Sequence, residues 1–327
     1  MLLLQHIPFC SKVALYRRGR EVGAKESNEQ RFLSFIVKHW LLVPGPSVPT
    51  SRVLVAEIFW PRQFEFILLQ AVLLHHVELG GSGLPPLLLL HGLLGSSRNW
   101  QTTGRDLAEH FHVYALDARN HGRSPHVPDT TPEVMMEDVA AWMDVHGVPV
   151  ATVIGHSMGG RTAMIMACRR PQLVSRLVVV DVAPRNYSGL SHWTHFESLQ
   201  ALDLTLLRSR QDAEDKLAGS IPDLGLRKFL VTNLAQDNAG QWHWTVNLRA
   251  LAAALPALEA SPLKPEDRYD GPTLFIRGGL SAYVQESDSA AIWNHFPQAD
   301  IVTIAGSGHN PHIDQRAVFV QAVLAER

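Results

Sequence analysis

The sequence predicts an α/β fold in which a mostly parallel sheet is covered by helices on both faces and carries an inserted helical cap. Short apolar runs, such as residues 87–90 and 151–154, alternate with segments of helical pattern. Strands of a parallel sheet are buried on both faces, so they are continuously apolar instead of alternating with polar residues. A glycine-flanked serine, Ser157, directly follows one of these runs and directly precedes a helical segment. These observations predict one large domain built around a central sheet.

The predicted strands follow one another in chain order, with helical segments between most of them. They cover residues 73–79, 87–90, 113–116, 151–154, 177–180, 273–276 and 300–304. Residues 185–262 show helical patterns without a convincing buried strand, which predicts a cap inserted between two sheet strands. The core is therefore expected over 72–184 and 263–327. Residues 1–71 are expected to form an extension without a recognisable motif.

Composition and charge limit the possible partners. The 327 residues are 46% hydrophobic and carry a formal net charge of −2, from 29 basic and 31 acidic residues without a long block of one sign. This balance argues against nucleic-acid partners and favours a small substrate that is neutral or weakly charged. No apolar run reaches the roughly 18 residues that span a bilayer, so stable membrane insertion is not expected.

The two cysteines, Cys10 and Cys168, lie far apart and lack the spacing of metal ligands. A disulfide framework is therefore not expected, and a reducing compartment is favoured. We expect a cytoplasmic protein, with the mitochondrial matrix as the alternative because several basic residues precede the first acid, Glu21. No cofactor and no metal are expected.

The strongest chemical signal is the pentapeptide Gly155-His156-Ser157-Met158-Gly159. A serine on a sharp turn from strand to helix needs glycine two residues to either side, because a Cβ there would clash with the neighbouring strand and helix. The turn exposes the hydroxyl, and the helix N-terminus favours negative charge that develops beside it. We therefore predict that Ser157 is a nucleophile.

A second loop, after the strand at residues 87–90, is expected to help hold the oxyanion, the negatively charged oxygen that forms when the serine attacks a carbonyl group. The backbone N–H groups of Leu93 and Met158 are the two predicted donors, with Gly92 permitting close approach. His91 is expected to brace this loop and to take no part in the chemistry.

The general base must follow the last strand, and His309 lies there in a loop of small residues. A neutral imidazole can take the serine proton at physiological pH and return it to the leaving group. His312, three residues further on, is the competitor for this role.

The acid that orients the histidine is harder to place, because a serine, Ser281, occupies the position where a carboxylate usually follows the next-to-last strand. Asp181 ends the strand at 177–180 on the same carboxyl edge of the sheet. We assign Asp181 as the acid and Ser281 as an auxiliary hydrogen-bond partner. Asp288 and Glu286 remain the alternatives.

Four stretches resemble the YbfF-type bacterial esterases and their mitochondrial abhydrolase-domain relatives. They are residues 90–96 (LHGLLGS), 117–122 (DARNHG), 155–160 (GHSMGG) and 180–184 (VDVAP). The resemblance runs from about residue 73 to the C-terminus and implies an α/β-hydrolase fold with a helical cap. It also implies the use of Asp181 and Ser281 beside the serine and histidine. Some relatives have an acid assigned within the cap, where this sequence has Arg249, which cannot fill that role.

These observations predict a serine hydrolase that cleaves short-chain carboxylic esters or acyl thioesters through an acyl-enzyme. The fold alone also permits a carbon–carbon hydrolase, a cofactor-free haloperoxidase or a non-catalytic ligand-binding protein. The oligomeric state cannot be predicted from the sequence.

Overall fold

The computed structural model describes residues 14–15, 68–69, 71–187 and 192–325. Residues 14–15 and 68–69 belong to a separate unit, in which Ala14–Leu15 and Leu68–Leu69 pair as antiparallel two-residue strands. The rest of the extension predicted for residues 1–71 lies outside the described residues, except for residue 71 itself.

The main domain is organised around a seven-stranded sheet. Its strands are β1 (His76–Gly80), β2 (Pro86–Leu90), β3 (His112–Leu116), β4 (Ala151–His156), β5 (Val174–Val180), β6 (Thr273–Gly278) and β7 (Ala299–Ile304). Their order is β7-β6-β5-β4-β2-β3-β1, and every neighbouring pair is parallel except β1 and β3. The parallel strands therefore end at one edge, which brings together loops that are far apart in sequence.

The first strand begins at His76, whereas the sequence predicts it from residue 73. The N–H of Val72 donates to Asp138 Oδ1 (2.7 Å), and the N–H of His75 donates to Ser124 Oγ (2.8 Å). At His75 the carbonyl still accepts from the N–H of Asp117 (2.9 Å), but its N–H is taken by the Ser124 side chain, so regular pairing with β3 begins at His76.

Helices lie on both faces of the sheet and form the inserted cap. In chain order they are α1 (Gln101–Leu107), α2 (Pro132–Val145), α3 (Met158–Arg169), α4 (His192–Ala201), α5 (Arg210–Leu217), α6 (Leu224–Val231), α7 (Leu248–Glu259), α8 (Ser289–His295), α9 (Pro311–Asp314) and α10 (Arg316–Leu324). The side chains of Thr131, Asp223 and Asn247 cap α2, α6 and α7 by accepting from an N–H of the first turn. Among the described residues, no helix combines the length and apolar character needed to cross a membrane.

Successive strand residues enter two apolar clusters, one on each face of the sheet. Leu88 and Val153 pack with residues of α2 and α3 on one face. Leu87 and Ile154 pack on the other face with α10, which contributes the fully buried Phe319. Burial on both faces explains why these strands are continuously apolar. The predicted parallel sheet covered by helices on both faces is confirmed.

The segment between β5 and β6 forms a cap from α4 to α7 with an apolar cluster of its own. Phe196, Leu230 and Leu251 are almost fully buried in this cluster. The cap also contains an antiparallel hairpin of Leu234–Gln236 and Trp242–Trp244, which the sequence did not predict. Each of its strands has three residues, which is too few for a periodic pattern to show.

A buried ion pair ties the loop after β3 to α2. Arg119 Nε donates to Asp138 Oδ2 (2.6 Å) and its Nη2 donates to Asp138 Oδ1 (2.7 Å), with both side chains almost completely buried. Burial raises the pKa of Asp138, although the guanidinium beside it acts in the opposite direction. Removal of one partner would leave an uncompensated charge in the interior.

We predict that Arg119→Met lowers the free energy of unfolding by about 3–5 kcal/mol, because the Asp138 carboxylate stays buried without its cation. Urea unfolding followed by circular dichroism measures the change. The matched control is Arg268→Met, which removes an exposed pair with Asp270 and is expected to change stability by less than about 1 kcal/mol. Equal effects of the two substitutions would contradict this account of the buried pair.

Candidate active site

Ser157 lies on the turn between β4 and α3 with φ 52° and ψ −115°. A built Cβ on Gly155 would stand 2.2 Å from the carbonyl oxygen of Gly159, and one on Gly159 would stand 2.5 Å from the carbonyl oxygen of Leu90. Glycine is therefore required on both sides of the serine, as the sequence predicts. The N–H of Ser157 donates to the carbonyl of Val180 (3.0 Å), which fixes the turn to β5. A positive φ at a non-glycine residue marks local strain that the packing sustains.

Asp181 directly follows β5 and is completely buried, also with a positive φ of 51°. Its Oδ1 accepts from the N–H of Gly278 (2.9 Å). Its Oδ2 accepts from the hydroxyl of Ser281 and from Nδ1 of His309 (2.8 Å). Because Nδ1 of His309 donates here, the neutral ring carries its lone pair on Nε2, the atom that a general base uses.

The loop that carries His309 approaches β6 very closely. A Cβ on Gly278 would stand 1.9 Å from the carbonyl oxygen of Gly308. The carboxylate of Asp314 accepts from the N–H of Gly308 (2.9 Å), which anchors the loop to α9. This packing places the imidazole at the carboxyl edge of the sheet.

Ser157 and His309 line the same cavity, which has a volume of about 620 Å³. Leu93 and Met158 also line it. The structure thus brings the predicted nucleophile, base and two amide-bearing residues to one place, with Asp181 and Ser281 hydrogen-bonded behind His309.

The alternative candidates for the acid, Asp288 and Glu286, and for the base, His312, lie in other surroundings. The carboxylate of Asp288 pairs with Arg185 (3.1 Å) and accepts from the N–H of Gln285 (2.8 Å), and Glu286 is exposed. His312 is buried and stacks on Trp100, with ring centroids 4.2 Å apart.

The loop with the predicted oxyanion donors is held from both sides. The N–H of Gly159 donates to the carbonyl of His91 (3.1 Å), and the N–H of Leu94 donates to Nε2 of His121 (3.2 Å). The ring of His91 accepts from the N–H of Ala118 at Nε2 (2.9 Å) and bonds the carbonyl of Gly92 through Nδ1 (2.8 Å). His91 therefore braces the loop.

Two further side chains position His309, and the sequence did not single them out. His156 Nε2 lies 2.8 Å from the carbonyl oxygen of His309 and donates to it. The ring of Tyr283 stacks on the imidazole of His309, with centroids 3.7 Å apart and an interplanar angle of 21°. These contacts join segments far apart in the chain, so no local pattern reveals them.

The cap closes the cavity from the other side. Phe196, Leu230 and Leu258 contribute apolar walls. A polar chain also enters it, in which His192 bonds Glu259 through Nδ1 (2.9 Å) and the hydroxyl of Tyr283 through Nε2 (3.2 Å). The cavity therefore combines an apolar lining with a few placed polar groups, which is typical of small-molecule sites.

Several histidines around the site are buried and neutral. Burial, with smaller contributions from neighbouring histidines, lowers the pKa of His121 and of His312 to about 3 and the pKa of His156 well below its usual value. Within the described ranges, no group of three or more His, Cys, Asp or Glu side chains is placed to hold a metal ion.

A family model described as the alpha/beta hydrolase fold matches residues 85–315. The chain belongs to the α/β-hydrolase family. Mouse sn-1-specific diacylglycerol lipase ABHD11 is 38% identical over 253 residues, which cover 75% of this chain and 82% of that protein. Esterase YbfF of Escherichia coli is 32% identical over 238 residues, covering 73% of this chain and 91% of the relative.

Among solved structures, a marine microorganism esterase superposes on this α/β-hydrolase with a TM-score of 0.75 at 34% identity. The match covers 78% of this chain and 99% of that one. The resemblance to YbfF-type esterases and abhydrolase-domain proteins, predicted from four short stretches, is confirmed by these comparisons.

The buried histidines give this α/β-hydrolase a predicted pH dependence of stability. Below about pH 6.5 the unfolded chain protonates each histidine, whereas the folded chain keeps His312 neutral down to about pH 3. The unfolded state then binds more protons, so stability falls as the pH falls. We predict that His312→Phe, which can keep the stack on Trp100, reduces this slope by up to about 1.4 kcal/mol per pH unit.

Urea unfolding at intervals between pH 7 and pH 4 measures the slope for both proteins. His110→Gln, a substitution of an exposed histidine, serves as control and is expected to leave the slope as it is. An unchanged slope in His312→Phe would mean that His312 titrates normally in the folded protein.

Proposed function

We propose that Ser157, His309 and Asp181 form the catalytic triad of this carboxylic ester hydrolase, and that its substrates are small acyl esters or thioesters. The observation that carries the proposal is the hydrogen bond from His309 Nδ1 to the buried carboxylate of Asp181 (2.8 Å), at a cavity that Ser157 also lines. A serine, an oriented imidazole and a buried acid are the groups that acyl transfer needs.

In the proposed mechanism the hydroxyl of Ser157 attacks the acyl carbonyl while Nε2 of His309 takes its proton. The tetrahedral intermediate then collapses, and His309 returns the proton to the leaving alcohol or thiol. Water activated by the same nitrogen attacks the acyl-enzyme, and the acid is released with Ser157 restored.

Asp181 stabilises the imidazolium that forms in each half of the reaction. Its carboxylate keeps the proton on Nδ1 of His309, so Nε2 faces the serine as an acceptor. The hydrogen bonds from Gly278 and Ser281 hold the carboxylate itself in place. Ser281 thus acts as an auxiliary partner of the acid.

The N–H groups of Leu93 and Met158 are the proposed oxyanion donors. Met158 is the first residue of α3, so its N–H has no acceptor within the helix and the helix dipole favours negative charge there. Both neighbours of Leu93 are fixed by histidine side chains: His91 bonds the carbonyl of Gly92, and His121 accepts from the N–H of Leu94. Preorganised amides of this kind stabilise charge that develops only in the transition state.

The esterase and lipase names of the relatives support ester substrates. The cavity of about 620 Å³ is of the size that small-molecule sites have, which supports a small acyl compound as substrate. We include thioesters because the same triad attacks them. Nucleic acid as a partner is not part of the proposal, and the compartment is proposed as cytoplasmic with the mitochondrial matrix as alternative.

We predict that Ser157→Ala lowers kcat for p-nitrophenyl butyrate by about 10⁴-fold or more and abolishes labelling by a fluorophosphonate probe, since no nucleophile remains. Ester turnover and in-gel fluorescence measure the two effects. Ser198→Ala, which changes a half-buried serine of the cap, is the control and is expected to be labelled as the unmodified protein is. Persistent labelling of Ser157→Ala would show that another residue is the nucleophile.

We also predict that Asp181→Asn lowers kcat by about 10³- to 10⁴-fold, because an amide cannot stabilise the imidazolium and favours the wrong tautomer of His309. Asp288→Asn is compared under the same conditions and is expected to keep most of the activity. The opposite result, with Asp288→Asn inactive and Asp181→Asn active, would move the role of the acid to Asp288.

A further inference from the structure

Arg161 is a buried cation in the wall of the active-site cavity that the proposed mechanism does not use. It is 3% exposed and lies on α3, where its N–H donates to the carbonyl of Ser157 (3.0 Å). Four residues correspond to about one turn of a helix, or 5.4 Å along its axis. The backbone of Arg161 therefore lies about one helical turn beyond Ser157, and both residues line the same cavity.

Two of the three nitrogen atoms of this guanidinium lack a partner. Nε and Nη2 of Arg161 are buried and have no hydrogen-bond acceptor among the described residues. Only Nη1 has one, the carbonyl oxygen of Arg185 (3.3 Å). Buried polar groups of native proteins are nearly always bonded, so each exception calls for an explanation.

The unpartnered atoms form the side of the guanidinium that holds carboxylates elsewhere in this protein. Arg119 uses Nε and Nη2 to bind both oxygens of Asp138 (2.6 and 2.7 Å). Arg169 uses the same two atoms to bind Asp267 (3.4 and 3.0 Å). The two donors are parallel and match the geometry of a carboxylate. In Arg161 the same pair of donors is vacant.

The surroundings do not neutralise this charge. Burial lowers the pKa of Arg161 to about 10, so it is protonated at neutral pH. The ring of Tyr187 lies 5.5 Å from its Cζ and offers a π face but no acceptor for the two N–H groups. Glu259 also lines the cavity, but its carboxylate bonds His192 (2.9 Å).

We propose that Nε and Nη2 of Arg161 bind a carboxylate of the substrate, so that the enzyme selects esters or thioesters that carry a free acid group. The inference rests on the proposed function, since it concerns the same cavity. Because the two residues are only four positions apart and line one cavity, we propose half-esters of short dicarboxylic acids, such as succinic and glutaric acid, as the substrates. The carboxylate of the substrate then accepts from Nε and Nη2 of Arg161, for which the described residues provide no acceptor.

The test compares two substrates that differ only at the distal group, methyl hydrogen glutarate and dimethyl glutarate. A charge-assisted bidentate bond favours the acid over its neutral methyl ester, so kcat/KM is expected to be about tenfold to hundredfold higher for the half-ester. Release of methanol measures both rates in the full-length protein.

Variants of Arg161 test whether its guanidinium causes the preference for the half-ester over the diester. Arg161→Met is expected to lower the ratio of the two kcat/KM values by about tenfold or more, and Arg161→Lys to retain part of it because lysine keeps the charge but not the paired donors. Arg185→Met is the matched control, because Arg185 is a nearby cation that is bonded to Asp288 and is expected to leave the ratio as it is.

A measurement on the unmodified protein avoids dependence on the folding of the variants. Glutarate is expected to inhibit hydrolysis of dimethyl glutarate competitively at about tenfold lower concentration than pentanoate, which lacks the second carboxylate. Equal inhibition by the two acids, together with equal kcat/KM for the two esters, would overturn the inference and mean that water satisfies the two N–H groups. If the proposed function itself were wrong, the result would be different: neither ester would be hydrolysed, and the fluorophosphonate probe would not label Ser157.

Discussion

The arrangement of the site depends on one buried carboxylate, that of Asp181, which has no exposed surface. It accepts hydrogen bonds from the N–H of Gly278, the hydroxyl of Ser281 and Nδ1 of His309. These donors belong to β6, the loop after it and the loop after β7, so a single side chain at the end of β5 holds three segments together. A buried carboxylate needs such hydrogen-bond donors. Because the carboxylate can only accept from Nδ1 of His309, it keeps the ring proton on that nitrogen. The imidazole of His309 is thereby oriented by the fold itself.

The cap is linked to this arrangement through Tyr283. Its ring stacks on His309, and its hydroxyl lies 3.2 Å from Nε2 of His192, whose other nitrogen bonds Glu259 at the end of α7. A displacement of the cap would therefore disturb the surroundings of His309 as well as the walls of the cavity. On the core side, Ser157 directly precedes α3, and α3 carries Arg161 with its two unpartnered donors. The proposed nucleophile, the proposed base and the proposed carboxylate site thus line one cavity.

Local signals explain what could be predicted from the sequence. The strands were predicted because a parallel sheet requires continuously apolar segments, and Ser157 because its turn tolerates only glycine at positions 155 and 159. The placement of Asp181 and His309 at one edge followed from their positions after apolar strands. Contacts between distant segments left no such signal. The bond from His156 to His309, the stack of Tyr283 and the vacant donors of Arg161 depend on how loops pack. The cap hairpin was missed because its strands are short.

In the proposed mechanism Ser157 attacks an acyl carbonyl, and the N–H groups of Leu93 and Met158 then hold the carbonyl oxygen. A crystal structure of the chain after reaction with a fluorophosphonate tests this most directly, because the phosphonyl oxygen takes the place of the oxyanion. We predict a covalent bond to Oγ of Ser157, with the phosphonyl oxygen about 2.7–3.1 Å from the backbone nitrogen atoms of both Leu93 and Met158. An adduct on another residue, or an adduct on Ser157 whose oxygen points away from both amides, would contradict it.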